Sequence, residues 1–189
     1  MGAGSSGSAI AYRLAQENNM KVLLIEYGGQ NRSVFIDMPA ALSYPMNLKK
    51  YNWGYRAEPE PNLYGRSLIC PRGKGLGGSS SINGMIYVRG HPQDFDNWST
   101  KGALSWSFAD VLPYFKKMEC CESRQSAWRG KNGPIRIKTA EQKNVLHKVF
   151  SDAAIQCGYS FTEDYNGYKQ EGIGACLLYT SPSPRDQLQ

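Results

Sequence analysis

Hydrophobic positions near the start of the chain first follow a helical period and then form one short unbroken run. In residues 8–18, Ile10 and Leu14 recur at helical spacing among small alanines, which predicts a helix that turns these side chains inward. The run KVLLIE follows at residues 21–26 and favours a strand buried on both faces of a parallel sheet. With the glycines that precede the helix, the pattern predicts a β-α-β unit that lacks its first strand.

Further along the chain the periodicity predicts three more regular elements. Amphipathic helices are expected at residues 107–119 and 141–157. Ser107 and Asp110 have the spacing of a reciprocal cap at the start of the first of these helices. The alternating sequence GPIRIKT at residues 133–139 predicts a strand.

Composition and charge narrow the possible partners and locations. The chain has 189 residues, enough for one domain or for one domain and part of another. The net charge is +6, but the basic residues are scattered, so no nucleic-acid partner is expected. No run approaches the ~18 apolar residues of a membrane-spanning helix, and the N-terminus lacks the pattern of a signal peptide. We therefore expect a cytoplasmic protein, or one attached peripherally to a membrane.

The cysteines indicate neither a disulfide framework nor a metal centre. There are five of them, an odd number, and none has the C-x-x-C spacing of common zinc and redox sites. We therefore expect reduced thiols in a reducing compartment and no metal ligands.

Candidate chemistry begins with the motif GAGSSG at residues 2–7. In a dinucleotide-binding turn, the first glycine makes the turn and the second lets the backbone approach the pyrophosphate. The third glycine lets the helix and strand pack closely. The residues that would form this turn are Gly2, Gly4, Ser5, Ser6 and Gly7.

Glu26 supports this interpretation because it ends the apolar run 24 residues after Gly2. An acid about 20 residues beyond the motif commonly binds a ribose hydroxyl. It favours an unphosphorylated ribose, as in FAD or NAD, while the helix N-terminus offers N–H groups to the phosphates. For the motif taken alone, a flexible Gly/Ser linker is the alternative.

A second glycine-rich segment follows a long irregular connection. Residues 28–70 are rich in Pro, Gly, Tyr and Asn, and we expect one short helix there, near residues 40–42. In residues 71–90, Gly and Ser are too dense for an ordinary helix. Such a backbone suits close contact with a flat or anionic ligand. A glycine-rich surface loop is the alternative.

Three ordered motifs resemble those of the glucose-methanol-choline (GMC) oxidoreductases, FAD-dependent enzymes that oxidise alcohols. The first family signature is similar to PRGKGLGGSSSINGMIYVRG, and the family's strand-and-acid motif resembles VLLIEYGG, with Tyr27 replacing a small residue. The stretch that leads into the family's substrate domain resembles YSFTEDYNGYKQEGIG. The resemblance covers about residues 2–175 and is greatest to the choline dehydrogenase and alcohol dehydrogenase branch.

The resemblance implies an α/β fold. Residues 1–133 would form a Rossmann-like FAD-binding domain without its first strand, and residues 134–175 the start of an α+β substrate domain. Because Ile82 stands where some members carry a flavin-attaching His, the resemblance implies non-covalent FAD. The pyrophosphate would lie on the first glycine-rich turn and the ribose on Glu26. The residues expected along the flavin are Gly75, Gly77, Gly78, Ser79, Asn83, Gly84, Met85 and Ile86.

The implied reaction is oxidation of a primary alcohol, choline-like or other, by hydride transfer to flavin N5. The partners would be this small-molecule alcohol and an electron acceptor. Family members take the hydroxyl proton with a His near their C-terminus, and no position of this chain matches it. The two histidines, His91 and His147, are expected in a loop and at an exposed helix position. We assign no catalytic residue and expect the chain alone to have no turnover.

Both ends of the chain depart from the family. Met1 stands where the family's first strand would end, and residues 176–189 bear no likeness to the family's continuation. We therefore expect a fragment with an artefactual or unusual tail. Two other interpretations stay open. An NAD-dependent Rossmann dehydrogenase would share Glu26 but gives no reason for residues 73–96, and a non-catalytic nucleotide-binding module would end naturally at Gln189.

Overall fold

The structure of the chain is a computed structural model. The residues that it describes are 2–17, 19–122 and 126–180. They divide between two compact units, one ending at Gly84 and the other beginning at Met85. Met1 and residues 181–189 of the predicted tail lie outside the described residues. Among the helices described, none is long and apolar enough to cross a membrane.

The first unit consists of short helices and a two-stranded antiparallel sheet, joined by irregular connections. Its helices and strands are α1 Ser5–Ala15, α2 Val34–Asp37, α3 Ser43–Asn47, β1 Tyr55–Arg56 and β2 Ile69–Cys70. Short 3-10 helices lie at Pro39–Ala41, Pro61–Leu63 and Gly78–Ser81. The short helix predicted near residues 40–42 is confirmed as the first of these.

The helix predicted after the first glycines is confirmed, and its predicted buried face is confirmed only in part: Ala11 is buried as expected, but Ile10 is not. Ser8 and Ala11 are buried, whereas the side chain of Ile10 is 50% exposed. The inward face of α1 is therefore its small face, which lets other backbone approach closely. The apolar core of the unit lies elsewhere, and its members are Ile36, Tyr51 and Ile82, with Met46 packed against them.

The prediction of a buried strand at residues 21–26 is wrong. No regular element forms there, and the side chains of Leu23 and Ile25 are 73% and 65% exposed. A strand requires a neighbour to complete its ladder of backbone hydrogen bonds. No strand of the described chain pairs with this segment. The apolar pattern is thus present without the partners that would bury it.

The second unit combines helices with a three-stranded sheet. Its elements are α4 Pro92–Thr100, α5 Phe108–Met118, β3 Glu119–Cys121, β4 Ile135–Thr139, α6 Val145–Gln156 and β5 Leu177–Thr180. Strand β4 is central, parallel to β3 and antiparallel to β5, with Ile137 opposite both Cys121 and Tyr179. The buried centre of the sheet is formed by Cys121, Ile137 and Leu177.

The helices predicted at residues 107–119 and 141–157 and the strand at 133–139 are confirmed within a few residues. Ser107 caps α5, and its hydroxyl accepts from the Asp110 N–H. In return the Asp110 carboxylate accepts from the Ser107 N–H at 3.1 Å. These bonds satisfy N–H groups that the start of a helix leaves unpaired, which is why so local a signal located the helix.

A buried ion-pair network lies within the second unit. One carboxylate oxygen of Glu119, a fully buried residue, lies 2.8 Å from Arg89 Nη2, and the other lies 3.1 Å from Arg129 Nε. The second oxygen also accepts from the Gly130 N–H at 2.7 Å. Arg129 pairs in turn with Asp164 at 3.3 Å. Two buried arginines are thus matched by two carboxylates, as the cost of an unpaired buried charge requires.

Tyr87 lies beside this network and responds to its charge. Burial and, second to it, the negative charge of Glu119 raise the pKa of the Tyr87 hydroxyl to about 12. The guanidinium of Arg129 lies over the ring, 5.9 Å from its centroid. Tyr87 therefore stays protonated throughout the physiological pH range.

The substitution Glu119→Gln would remove the charge shared by both arginines and keep the shape of the side chain. We expect the free energy of unfolding to fall by about 3–5 kcal/mol, because Arg89 and Arg129 lose a buried partner. Urea denaturation of the purified chain measures this change. Glu141→Gln is the matched control, since Glu141 pairs with Lys143 on the surface, where such pairs contribute little. Equal losses in the two variants would contradict the prediction.

Candidate cofactor site

The first glycine-rich turn lies at the N-terminus of α1. Gly4 is the N-cap residue, and no described side chain caps this helix end. The first N–H groups and the positive end of the helix dipole therefore lie together at this helix end without a side-chain cap, an arrangement that can bind phosphate. A Cβ on Gly7 would collide with the carbonyl oxygen of Gly2, so the turn requires glycine at this position. The exposed side chains at this helix end are those of Ser5 and Ser6.

The second glycine-rich segment lies directly against the first. The Gly77 N–H donates to the Ala3 carbonyl at 2.8 Å. The hydroxyls of Ser5 and Ser80, which are 75 residues apart in sequence, are hydrogen-bonded to each other. The structure thus brings together the two segments that were singled out separately as candidate ligand-binding backbone.

Glu26 joins both segments through its carboxylate. One oxygen accepts from the Ala3 N–H at 3.0 Å. The other accepts from the Gly28 and Gly75 N–H groups at 3.0 and 3.1 Å. A carboxylate offers about four acceptor positions, so backbone N–H groups occupy three of them. Glu26 therefore organises the backbone. The sequence predicted only a ribose-binding role for this residue and did not indicate the organising one.

The second segment is also held by contacts of its own. The Ser79 hydroxyl accepts from the Gly73 N–H at 3.1 Å, and the Asn31 amide donates to a carbonyl of the segment at 3.0 Å. A Cβ on Gly78 would approach the Gly4 Cα to 2.8 Å, closer than real side chains allow. Glycine at this position lets the two segments touch, and Asn31 is a supporting residue that sequence reasoning missed.

The last predicted flavin-lining residues fall on the two sides of the unit boundary. Asn83 and Gly84 end the first unit and are exposed. Met85 and Ile86 begin the second unit, where Met85 has a left-handed backbone with φ 58° and Ile86 is 61% exposed. Ile86 forms an isolated β-bridge with Leu178, so this segment runs along the edge of the three-stranded sheet.

An exposed aromatic stack begins at Tyr27, the residue after Glu26, and sequence reasoning did not assign it to the site. The ring centroids of Tyr27 and Trp53 are 5.0 Å apart, and those of Trp53 and Tyr55 are 6.3 Å apart with an interplanar angle of 6°. Lys74 Nζ lies 5.7 Å from the Trp53 ring centroid. Exposed flat rings of this kind can stack against a planar ligand. The sequence signal was the alternation of Trp53 and Tyr55.

The two histidines lie where the sequence predicted. His91 precedes α4 and caps it, with Nδ1 accepting from the Gln93 N–H at 3.2 Å and the His91 N–H donating to Asp94. His147 lies at an exposed position of α6. The Nδ1 atom of His91 is therefore committed to a helix cap.

Comparison with known sequences finds one family over nearly the whole chain. The GMC oxidoreductase profile matches residues 2–184. Over 174 residues the chain is 55% identical to the oxygen-dependent choline dehydrogenase of Brucella melitensis biotype 1 and 53% identical to that of Sinorhizobium medicae. These alignments cover 92% of this chain and 32% of each relative. The chain thus spans about a third of the length of the curated relatives that it matches.

Comparison with solved structures also finds FAD-dependent oxidoreductases similar to this chain. Pyridoxine 4-oxidase from Mesorbium loti matches with a TM-score of 0.89 and 32% identity, over 96% of this chain and 36% of its own. An FAD-dependent oxidoreductase from Chaetomium thermophilum matches with a TM-score of 0.85 and 28% identity, over 94% of this chain and 32% of its own. These matches confirm the predicted α/β, Rossmann-like FAD-binding fold. The chain belongs to the GMC oxidoreductases, a family of FAD-dependent oxidoreductases that act on CH–OH donors.

Proposed function

We propose that this chain forms the FAD-binding part of an enzyme that oxidises a primary alcohol, choline-like or other, to the aldehyde. The observation that carries the proposal is the meeting of two glycine-rich segments at Glu26, beside the uncapped N-terminus of α1. Family membership and the choline dehydrogenase relatives support it. The proposal accounts for residues 73–96, for which an NAD-dependent dehydrogenase gives no reason.

The residues present fit the pyrophosphate and ribose of a dinucleotide. At Gly4 the space that a Cβ would occupy is open within 4 Å, so a phosphate can approach the backbone there. Glu26 retains about one acceptor position for a ribose hydroxyl. The residues proposed to hold non-covalent FAD in the first unit are Gly2, Gly4, Ser5, Ser6, Gly7, Glu26, Gly75, Gly77, Gly78, Ser79, Asn83 and Gly84. In the second unit, Met85 and Ile86 are proposed to line the flavin ring.

When bound, FAD would supply N5 as the acceptor of a hydride from the alcohol carbon. The N–H groups at the start of α1 would balance the negative charge of the pyrophosphate. The hydroxyl proton of the alcohol requires a base. We assign that base to no residue of this chain, because His91 caps α4 and His147 is an exposed helical residue.

The proposal extends to organisation and location. Residues 1–133 would belong to the FAD-binding domain and residues 134–175 to the start of the substrate domain. None of the five cysteines, all of which lie among the described residues, forms a disulfide, which suits a reducing compartment. We place the protein in the cytoplasm, free or peripherally attached to a membrane, with an alcohol and an electron acceptor as its partners and no nucleic acid.

FAD uptake tests the glycine-rich site directly. Titration of the purified chain, followed by quenching of flavin fluorescence, should show saturable binding, whereas NAD at equal concentration should not compete. In Gly4→Ala the Cβ enters open space in the protein but blocks the approach of a phosphate. We expect unchanged unfolding and FAD affinity lowered about tenfold or more, a loss of ~1.4 kcal/mol. Gly29→Ala, where a Cβ also meets nothing within 4 Å, is the control and should bind like the parent chain.

The substitution Glu26→Gln tests the carboxylate that joins the two segments. Either orientation of the new amide turns its NH₂ group toward at least one backbone N–H, because both carboxylate oxygens are acceptors. We expect the free energy of unfolding to fall by about 1–3 kcal/mol and FAD affinity to fall with it. Urea denaturation and the flavin titration measure the two effects. Glu58→Gln, at an exposed position, is the control. Unchanged stability in Glu26→Gln would refute the organising role.

The FAD-loaded chain should show no alcohol-dependent turnover, because the hydroxyl proton has no base among its assigned residues. A dye-reduction assay with choline and with simple primary alcohols measures this, and a full-length choline dehydrogenase serves as the positive control. Dye reduction above the alcohol-free rate would contradict the assignment. His91→Ala and His147→Ala would then show which histidine acts.

A further inference from the structure

The segment from Met85 to Arg89 carries two of the proposed flavin-lining residues and lies at the start of the second unit. On one side β5 holds it. The Tyr87 N–H donates to the Leu177 carbonyl at 2.8 Å, and the Tyr179 N–H donates to the Met85 carbonyl at 3.1 Å. These bonds fix one edge of the segment and leave the Tyr87 carbonyl and the Arg89 N–H to find other partners.

Asn166 supplies both of those partners from the other side. Its Oδ1 accepts from the Arg89 N–H at 2.8 Å, and its Nδ2 donates to the Tyr87 carbonyl at 3.0 Å. The side-chain amide therefore bonds to the segment as the backbone of a neighbouring strand would. Asn166 is only 4% exposed, so water does not compete for these bonds. Gln170 adds a third contact by donating to the Arg89 carbonyl at 2.8 Å.

The orientation of Asn166 is itself fixed by the buried network. Its N–H donates to Asp164 Oδ1 at 3.0 Å, and the same oxygen pairs with Arg129 at 3.3 Å. Through Glu119 the network also holds the side chain of Arg89, at 2.8 Å. The segment is thus anchored by backbone and by side chain at its Arg89 end.

The other end of the segment requires such an anchor. Met85 has φ 58°, a left-handed conformation that costs energy for any residue with a Cβ. Strained backbone of this kind persists only where its surroundings impose it, and it is concentrated at functional sites. The neighbouring Ile86 is 61% exposed and receives little support from packing of its own side chain. Hydrogen bonds from both sides therefore determine where Met85 and Ile86 are held.

We propose that Asn166 is a positioning residue, which sets the conformation of the backbone at Met85 and Ile86, the two residues proposed above to line the flavin ring. This rests on the proposed FAD function. Asn166 touches no cofactor in this role and acts only through the backbone that it bonds. A purely structural asparagine would affect the stability of the fold and leave the environment of a bound flavin unchanged.

The test compares Asn166→Asp with Thr162→Val in the FAD-loaded chain. Aspartate keeps the acceptor for the Arg89 N–H, but it replaces the donor to the Tyr87 carbonyl with a second acceptor oxygen and adds a negative charge. Thr162→Val removes a buried hydrogen bond of the same loop, from Oγ1 to the Lys169 carbonyl at 2.9 Å, and leaves the Asn166 contacts intact. We expect both variants to be destabilised, because each loses a hydrogen bond of a buried side chain. In Asn166→Asp we also expect shifted visible absorption and circular dichroism bands of the flavin. Amide exchange in residues 85–89 should be about tenfold faster, the change expected for loss of one such bond.

Thr162→Val should show the spectrum and the 85–89 exchange of the parent chain. Flavin bands and exchange that are unchanged in Asn166→Asp would overturn this inference and leave the proposed function standing. Failure of the parent chain to take up FAD would overturn both. Asn166→Ala removes both bonds and gives the same comparison if the aspartate variant does not fold. If neither Asn166 variant folds, amide exchange in the parent chain decides, and rapid exchange at residues 85–89 relative to β5 would overturn the inference.

Discussion

The carboxylate of Glu26 is the interaction on which the arrangement of the first unit depends. Glycine-rich backbone loses much conformational entropy when it is ordered, and it has few side chains whose contacts could compensate for that loss. Hydrogen bonds to a charged acceptor are roughly twice as strong as neutral ones. One carboxylate that accepts from Ala3, Gly28 and Gly75 therefore orders two segments distant in sequence. The open helix end and the second glycine-rich segment meet because this acceptor lies between them.

A second carboxylate has a comparable role in the second unit, at a different cost. Glu119 also accepts from backbone, at the Gly130 N–H, but it is fully buried and is balanced by Arg89 and Arg129. Glu26 is only partly buried, so water can solvate it. Removing the charge of Glu119 takes a compensating negative charge away from two buried arginines that water cannot solvate. Removing the charge of Glu26 mainly weakens its hydrogen bonds to the backbone. A carboxylate thus organises backbone in both units, and the more deeply it is buried, the more of the unit's stability depends on its charge.

What the sequence predicted correctly is what local physics specifies. The helix after the first glycines and the Ser107–Asp110 cap follow from steric and hydrogen-bonding demands within a few residues. The errors arise from distant partners. Residues 21–26 are apolar but have no neighbouring strand in the described chain, and Ile10 is exposed because small residues of α1 face inward. The hydrogen bond between Asn166 and the Arg89 N–H has no local signal either, because the two residues are 77 positions apart.

The geometry of Glu26 also changes what an acid at this position signifies. The ribose role predicted from the motif uses a carboxylate as acceptor, and the three backbone N–H groups already bound use both of its oxygens. Of about four acceptor positions, one remains, so the two roles are compatible and demand the same residue type. An acid at the end of the KVLLIE segment is therefore required by the protein's own backbone even without a nucleotide. An acid at this position is therefore evidence for the fold before it is evidence for a nucleotide. The glycine-rich backbone that it holds in place is the stronger evidence for the cofactor.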